Sequence, residues 1–185
     1  SSTVKNKAFH AININGAYSE KGGENSDFVV SGNIIRLDIS MPSKQTSDAF
    51  RVKNSSNLKI SSNSTDEKSK RISSFILLEN CRGISFLSNS FLAGGEYGVL
   101  ARQSSGCVIK DNSFRKTSSH AVYLYKKCKK MTVTSNKIYR SSDCGITLRD
   151  CTGATVSKNS VKKVKKIGVY VASSSGVSVT SNTLS

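Results

Sequence analysis

The sequence contains no tryptophan and only one proline, and apolar residues make up 36% of it. A core of this composition must be thin and must consist mainly of Val, Ile, Leu and Phe, which disfavours a compact α/β globule. At 185 residues, the chain is long enough for one domain with a continuous core, whereas two independent domains would be cramped.

Acidic residues are scarce too. The 12 Asp and Glu stand against 28 Lys and Arg, which gives a formal net charge of +16. A field of this sign attracts polyanions, which include acidic polysaccharides, nucleic acids, anionic lipids and acidic protein subunits. The sign of the charge does not separate these partners from one another.

Long hydrophobic runs are also missing. No stretch of about eighteen apolar residues is present, and the first residues, SSTVKNKAFH, lack the apolar core of a signal peptide. We therefore expect no membrane insertion. The chain lacks an initiator Met, so we interpret it as processed or cut from a longer protein.

The cysteines follow no CxxC or Cys/His metal spacing, and their number, five, is odd. They are Cys81, Cys107, Cys128, Cys144 and Cys151. We predict free buried thiols, with a bridge between Cys128 and Cys151 as the alternative.

What the sequence does have is a repeat. An Asn recurs after the same apolar pattern, at spacings of 26, 23, 24, 23 and 23 residues. The recurring residues are Asn63, Asn89, Asn112, Asn136, Asn159 and Asn182. Steps of 23 residues towards the N-terminus place Ser40 and Ala17 in the same column, preceded by the apolar pairs Ile35/Leu37 and Ile12/Ile14. About eight turns of about 23 residues would then account for the whole chain.

Each repeat holds two short stretches in which apolar residues alternate along the chain. One apolar pair lies five and three residues before the Asn, and the other lies thirteen and eleven residues before it. Alternation of period two predicts a strand with its apolar side inward. By this count Tyr123 and Tyr125 are inward residues of the repeat that ends at Asn136.

Chemically uniform columns at this spacing indicate turns that stack on one another about 4.8 Å apart. An inward Asn at each bend can satisfy backbone groups of the neighbouring turns. A leucine-rich repeat is the alternative, but it favours Leu throughout and does not explain the second alternating strand. We predict an all-β, single-stranded, right-handed parallel β-helix forming one domain over residues 1–185, less regular over 1–46 and regular over 47–185.

Three segments carry a family resemblance: GVLARQSSGCVIKDNSF (98–114), GITLRDCTGATVSKNSV (145–161) and GVYVASSSGVSVTSNTL (168–184). They resemble the parallel β-helix repeats of the pectate-lyase-like superfamily, clearly over residues 47–185 and loosely over 8–46. That superfamily includes polysaccharide lyases, glycoside hydrolases, uronate epimerases, copper-maturation proteins and phage tailspikes. The resemblance therefore implies a fold and leaves several activities open.

Function on such a helix is expected on outward-facing residues of one sheet. One outward column contains Leu77, Leu100, Leu124, Thr147 and Tyr170, and the next contains Glu79, Arg102, Lys126 and Arg149. We predict that Arg102, Lys126 and Arg149 bind a carboxylate or sulfate, with Glu79 and Tyr170 in the same binding face. Solvated surface charge is the alternative. The stripe of Leu77, Leu100 and Leu124 predicts a contact with other protein chains or a homo-oligomer.

His120 is the candidate catalytic base. Counted from the Asn, Glu96 and Asp143 occupy the same place on adjacent turns, so we expect carboxylates on both sides and a raised pKa for His120. The resemblance implies a lyase that removes the proton α to a uronate carboxylate, often with Ca²⁺. Because the carboxylates fall on different columns, we expect no metal site and no cofactor.

The sequence thus predicts a secreted or virion-associated module that binds an acidic polysaccharide. If the module is an enzyme, we expect it to cleave this polysaccharide as a polysaccharide lyase does. The alternative is a non-catalytic structural or attachment component of a viral or phage assembly. A weaker alternative is non-specific binding of nucleic acid or another polyanion through the lysine clusters at 126–130 and 162–166. We also expect another chain or further protein to cover the end of the helix after Asn182.

Overall fold

The computed structural model describes residues 3–6, 10–16, 28–37, 47–65, 72–92 and 95–185. All regular elements in these ranges are β-strands, and they form three parallel sheets. None of these residues belongs to a helix long and apolar enough to cross a membrane. The all-β prediction is confirmed.

The sheets are named here by their place relative to the recurring Asn. The upstream sheet contains β2 (His10–Asn15), β5 (Ser47–Lys53), β8 (Ile72–Glu79), β11 (Gly95–Arg102), β14 (Val122–Tyr125), β17 (Ile146–Arg149) and β20 (Val169–Ala172). The middle sheet contains β3 (Val29–Ser31), β6 (Lys59–Ser61), β9 (Ser85–Leu87), β12 (Val108–Lys110), β15 (Thr132–Thr134), β18 (Thr155–Ser157) and β21 (Ser178–Thr180). The downstream sheet contains β1 (Thr3–Asn6), β4 (Ile34–Leu37), β7 (Ser64–Thr65), β10 (Ser90–Phe91), β13 (Ser113–Thr117), β16 (Lys137–Ser141), β19 (Ser160–Lys162) and β22 (Thr183–Leu184).

Each turn of the chain contributes one strand to each sheet and pairs in parallel with the turns before and after it. In the upstream sheet, Val99 lies between Ile76 and Val122. In the middle sheet, Ile109 lies between Phe86 and Val133. Like residues therefore stack along the axis, and the predicted parallel β-helix is confirmed.

The core consists of the inward residues of all three sheets and is richest in aromatic side chains near its first regular turns. The ring of Phe75 lies 5.7 Å from those of Phe50 and Phe86 and 5.3 Å from that of Phe91, measured between centroids. All four are fully buried. Later turns place Gly or Ala at the position of Phe75, and a Cβ on Gly98 would lie 2.3 Å from Cδ1 of Phe114. The small residue makes room for that ring.

An Asn ladder connects the turns at the bend between the middle and downstream sheets. Oδ1 of Asn136 accepts hydrogen bonds from the backbone N–H of Asn112 and from its Nδ2, both at 3.0 Å. Nδ2 of Asn136 in turn donates to the carbonyl of Ile109 at 2.9 Å and to Oδ1 of Asn159 at 3.0 Å. Such bonds satisfy backbone groups that the bend would otherwise leave buried and unpaired, as predicted.

The first turns differ from the predicted register. Asn33, rather than Ser40, continues the ladder, because its Nδ2 donates to Oδ1 of Asn63 across a turn of 30 residues. Ile35 consequently pairs with Thr65 in the downstream sheet. Ser40 and Ala17 lie outside the described residues.

The Ile12/Ile14 pair is displaced in the same way. Ile12 pairs with Phe50 and Ile14 with Val52, so both lie in the upstream sheet rather than before a ladder Asn. A constant step of 23 residues cannot follow turns that are longer than the average. From β5 onward the described chain has six turns of about 23 residues, preceded by longer and less regular ones, so the expectation of about eight such turns is slightly too high.

The bend after β14 contains one extra residue, and this changes which side chains face outward. Lys126 and Lys127 both have a positive φ, 50° and 66°, where the preceding turn has only Gln103, at 52°. Counting back from Asn136 across this insertion shifts the assignment of β14 by one residue. Val122 and Leu124 are therefore buried, and Tyr123 and Tyr125 face outward, contrary to the prediction.

The five cysteines are free and buried, as predicted. Cys81 and Cys151 occupy a column of small residues at the bend after the upstream sheet, where their thiols donate to the carbonyls of Val52 and Leu124. Burial raises the pKa of Cys81 to about 11 and that of Cys107 to about 12. These thiols therefore stay protonated at neutral pH and act as small core residues.

The last described turn consists of β20, β21 and β22. Its inward residues Val171, Val179 and Leu184 are 39%, 46% and 53% exposed. The expectation that another chain or further protein covers this end stays a prediction.

Candidate functional site

The outer face of the upstream sheet is aromatic rather than lined by leucine. Leu77 pairs with Leu100, Leu100 with Tyr123, Tyr123 with Thr147, and Thr147 with Tyr170. Leu124, which was predicted in this column, is fully buried in the core. The proposed stripe is thus reduced to two leucines, and a protein partner on this face stays a prediction.

The neighbouring column does not hold three adjacent cations either. Tyr125 occupies the place next to Arg102, and Lys126 lies in the bend with Nζ 5.7 Å from the centroid of the Tyr125 ring. Nη2 of Arg102 is 2.8 Å from a carboxylate oxygen of Glu79, which also pairs with Lys53. Arg102 therefore already has a counter-charge, and Arg149 is the cation of this column nearest the end of the sheet.

The Glu79 ion pairs predict a loss of stability in acid. Burial acts to raise the pKa of Glu79, but hydrogen bonds and charges from Lys53 and Arg102 outweigh it and hold the pKa below its usual 4.5. A lowered folded-state pKa contributes stability above pH 4.5, and this contribution is lost as the pH falls through the lowered value. For Glu79→Gln we expect a smaller fall in Tm than for the unmodified protein when the pH is lowered from about 6 to about 3, the range in which carboxyl groups titrate.

The control for this measurement is Glu96→Gln, which removes an exposed carboxylate that forms no ion pair within the described part of the chain. Its acid dependence should match that of the unmodified protein. Equal acid dependence in the Glu79 variant would show that the Lys53 and Arg102 contacts do not stabilise the fold.

A cluster of aromatic rings lies on the outer face of the upstream sheet. The ring centroids of Tyr123 and Tyr125 are 4.9 Å apart with an interplanar angle of 16°. His120 lies 4.9 Å from Tyr123 and 6.0 Å from Tyr97. The insertion at Lys126 creates this cluster, because it turns both β14 tyrosines outward.

His120 lies at the bend between the downstream and upstream sheets, in surroundings that differ from those expected. The backbone N–H of Cys144 points to Nδ1 of His120 at 3.4 Å, and the Thr147 hydroxyl is 3.3 Å from the same atom. Burial lowers the pKa of His120, the charge of Asp143 opposes this effect, and Lys166 adds to it. The predicted rise in the pKa of His120 is therefore wrong, because burial outweighs the charge of Asp143, which also pairs with Lys166 at 3.0 Å.

These residues border a groove of about 350 Å³ at the end of the sheet. Its walls include His120, Tyr123, Asp143, Arg149, Lys166 and Tyr170. The structure thus brings together three of the predicted site residues, His120, Arg149 and Tyr170, whereas Glu79, Arg102 and Lys126 lie outside the groove. Column counting did not find Lys166, because it lies in the lysine-rich loop before β20 and reaches the groove through Asp143.

A second cationic cluster lies on the downstream sheet and was missed. Arg115, Arg140 and Lys163 lie 5.9, 5.2 and 5.5 Å from the ring centroid of Tyr139. In the described part of the chain, no carboxylate forms an ion pair with these three cations. The three cations come from successive turns: Arg115 lies three residues after its ladder Asn, and Arg140 and Lys163 lie four residues after theirs. Counting forward from each ladder Asn would therefore have found them.

Comparison with known families agrees with the fold. The sequence model of the family "Right handed beta helix region" matches residues 74–185, which is more than half of the chain. The chain therefore belongs to the right-handed β-helix family, and the predicted handedness is that of its family.

Among solved structures, the chain is similar to the surface protein and adhesin PfbA of Streptococcus pneumoniae, with 14% sequence identity and a TM-score of 0.47. The alignment covers 98% of this chain and 66% of the adhesin, so this chain spans just under two thirds of that structure. A comparison with curated protein sequences finds no significant relative.

Proposed function

We propose that this protein binds an acidic polysaccharide in the groove at the end of the upstream sheet. The observation that carries the proposal is the combination of aromatic side chains and cations in one cleft: Tyr123 and Tyr170 line it together with Arg149 and Lys166. Concave sites with apolar walls and a few convergent charges are typical of ligand binding. A sugar ring offers an apolar face to the tyrosines, and its carboxylate or sulfate offers a partner to the cations.

Arg149 is the principal anion ligand in this proposal. Its guanidinium makes no ion pair with any carboxylate of the described residues, and its planar donors suit the bidentate geometry of a carboxylate or sulfate. Tyr170, with 43% of its surface exposed, supplies a stacking face. The net charge of +16 favours encounter with a polyanion over a neutral polymer.

Binding should be measured by calorimetry with polygalacturonate, alginate and hyaluronate, with dextran as the neutral polymer. We expect Arg149→Ala and Tyr170→Ala each to weaken binding by about tenfold, which corresponds to about 1.4 kcal/mol. Arg115→Ala is the charge-matched control, because it removes one cation outside the groove. It should change affinity by less than about twofold, in keeping with a change in long-range charge alone.

The outcomes separate two binding faces. A loss of affinity in the Arg115 variant but not in the Arg149 variant would place the polyanion at the Tyr139 cluster and make the groove proposal wrong. Failure of all three acidic polymers to bind at low salt would reject polysaccharide binding altogether.

Cleavage by β-elimination is a second candidate, supported by the position of His120 on the groove wall. Its lowered pKa favours the neutral imidazole at pH 7, the form that can accept the proton α to a uronate carboxylate. Ultraviolet absorbance of unsaturated chain ends is the measurement. Binding without any increase in absorbance, for every polymer that binds, would leave a binding module and reject the lyase.

A further inference from the structure

We propose that His120, Asp143 and Cys144 form a binding site for a borderline transition-metal ion of the Zn²⁺ class. One ligand atom from each residue, a ring nitrogen, a carboxylate oxygen and the Sγ, lies within 4.8 Å of the other two. In a tetrahedral zinc site with ordinary bond lengths, such donors are separated by roughly 3.3 to 3.6 Å. Shifts of about 1 Å in the donor atoms separate the present arrangement from that spacing.

The fold holds the three residues in the same bend of two adjacent turns. The bend that carries Asp143 and Cys144 lies one turn after the bend that carries His120, and the backbone N–H of Asp143 donates to the carbonyl of Ser119 at 3.2 Å. The N–H of Cys144 points to His120 Nδ1 at 3.4 Å, a long bond that a metal at that nitrogen would replace. The site is thus arranged largely by backbone pairing between two adjacent turns.

The donor set determines the kind of ion. Imidazole and thiolate favour Zn²⁺, Co²⁺ and related ions, whereas Ca²⁺ and Mg²⁺ require oxygen ligands. Sγ of Cys144 now lies 3.3 Å from Oδ1 of Asp143, as a thiol donating to a carboxylate. On binding, the thiol proton leaves to solvent, and one thiolate and one carboxylate then neutralise the divalent charge.

Three protein ligands leave one coordination position for water or a substrate oxygen. All three residues border the groove, so that position is reached from it. An open fourth position is the arrangement of catalytic rather than structural zinc sites. The metal proposal does not depend on the polysaccharide, because it rests on the donors alone.

Lys166 opposes the metal. Its Nζ is 3.0 Å from Oδ2 of Asp143, so the ammonium competes with a cation for this carboxylate. Removing the charge should therefore strengthen metal binding, whereas removing a ligand should weaken it. Changes of opposite sign in one small cluster distinguish coordination from loss of folding.

The test is a titration of the full chain with Co²⁺, followed by its absorption spectrum. We expect one Co²⁺ per chain, with visible bands of tetrahedral cobalt and a near-ultraviolet thiolate-to-metal band, both removed by Zn²⁺. Cys144→Ser should abolish the thiolate band and weaken binding at least about tenfold, in line with the loss of a metal ligand. Lys166→Met should tighten binding severalfold.

Cys81→Ser is the matched control, since Ser55 and Ser104 occupy the same bend column in adjacent turns and the fold therefore accepts Ser there. It should leave both the spectrum and the affinity unchanged. Circular dichroism checks folding, and His120→Ala gives a second ligand variant if Cys144→Ser does not fold.

The proposal is overturned if no thiolate band appears with Co²⁺, or if the band survives Cys144→Ser or is lost with Cys81→Ser. It is also overturned if Lys166→Met weakens binding. Because no polysaccharide is present in this experiment, its failure leaves the groove proposal standing, and the reverse also holds.

Discussion

Replacing Asn136 by Ala is expected to lower the free energy of unfolding by about 3 to 6 kcal/mol, because several buried groups lose their partners at once. Asn136 is fully buried. Its side chain satisfies the backbone N–H and Nδ2 of Asn112, the carbonyl of Ile109 and Oδ1 of Asn159. Ala satisfies none of them, and water has no access to the site. Urea unfolding followed by circular dichroism measures the loss.

Asn182→Ala is the control within the same ladder. Asn182 accepts from the N–H and Nδ2 of Asn159, but it lies in the last turn and is partly exposed, so water can replace the lost bonds. We expect a loss of about 1 to 2 kcal/mol, the range for hydrogen bonds that solvent can reach. Equal losses for the two variants would mean that the ladder is not a buried network whose strength depends on burial.

Replacing Phe75 by Ala is expected to cost about 3 to 5 kcal/mol, the range for removing a buried aromatic ring. Phe75 contacts the ring of Phe50 from the preceding turn and the rings of Phe86 and Phe91 from its own turn. Backbone pairing holds those turns at a fixed spacing, so they cannot close in to fill the cavity. Thermal and urea unfolding measure the effect.

The control for Phe75 is Leu77→Ala in the same strand. Leu77 faces outward and is only partly buried, so its loss should cost about 1 kcal/mol or less, as for a partly exposed apolar residue. A similar cost for both variants would show that the Phe cluster adds no packing energy beyond strand pairing.

The repeat made the fold predictable, because period-two alternation and a recurring Asn each have one straightforward structural meaning. The orientation of β14 was not predictable, since in Val-Tyr-Leu-Tyr both sets of alternate residues are apolar enough for a core. A one-residue insertion at Lys126 or Lys127 then decides which set faces inward, and a strand with two possible registers conceals it. The register of the first turns was predicted wrongly for a related reason. The turn before Asn63 has 30 residues, and nothing in its sequence marks where the extra residues lie.

The candidate site was predictable only in part. Arg149 and Tyr170 lie in turns without insertions, so counting columns placed them correctly on the outer face. The insertion at Lys126 or Lys127 also shifts the expected alignment of the bend that contains His120 by one residue. Cys144, rather than Asp143, therefore occupies the place of His120 in the next turn, and its N–H points to Nδ1 of His120. Lys166 joins the groove through a side chain from a loop, which a column pattern does not describe.

The Asn ladder gives this stack a polarity that its repeated strands do not. Every side-chain amide, from Asn33 to Asn159, donates through Nδ2 to the Oδ1 of the turn that follows it. The amide dipoles all point the same way and reinforce one another along the axis. A further rung after Asn182 would keep the same direction, with its amide oxygen accepting from the N–H and Nδ2 of Asn182 as Asn182 accepts from Asn159.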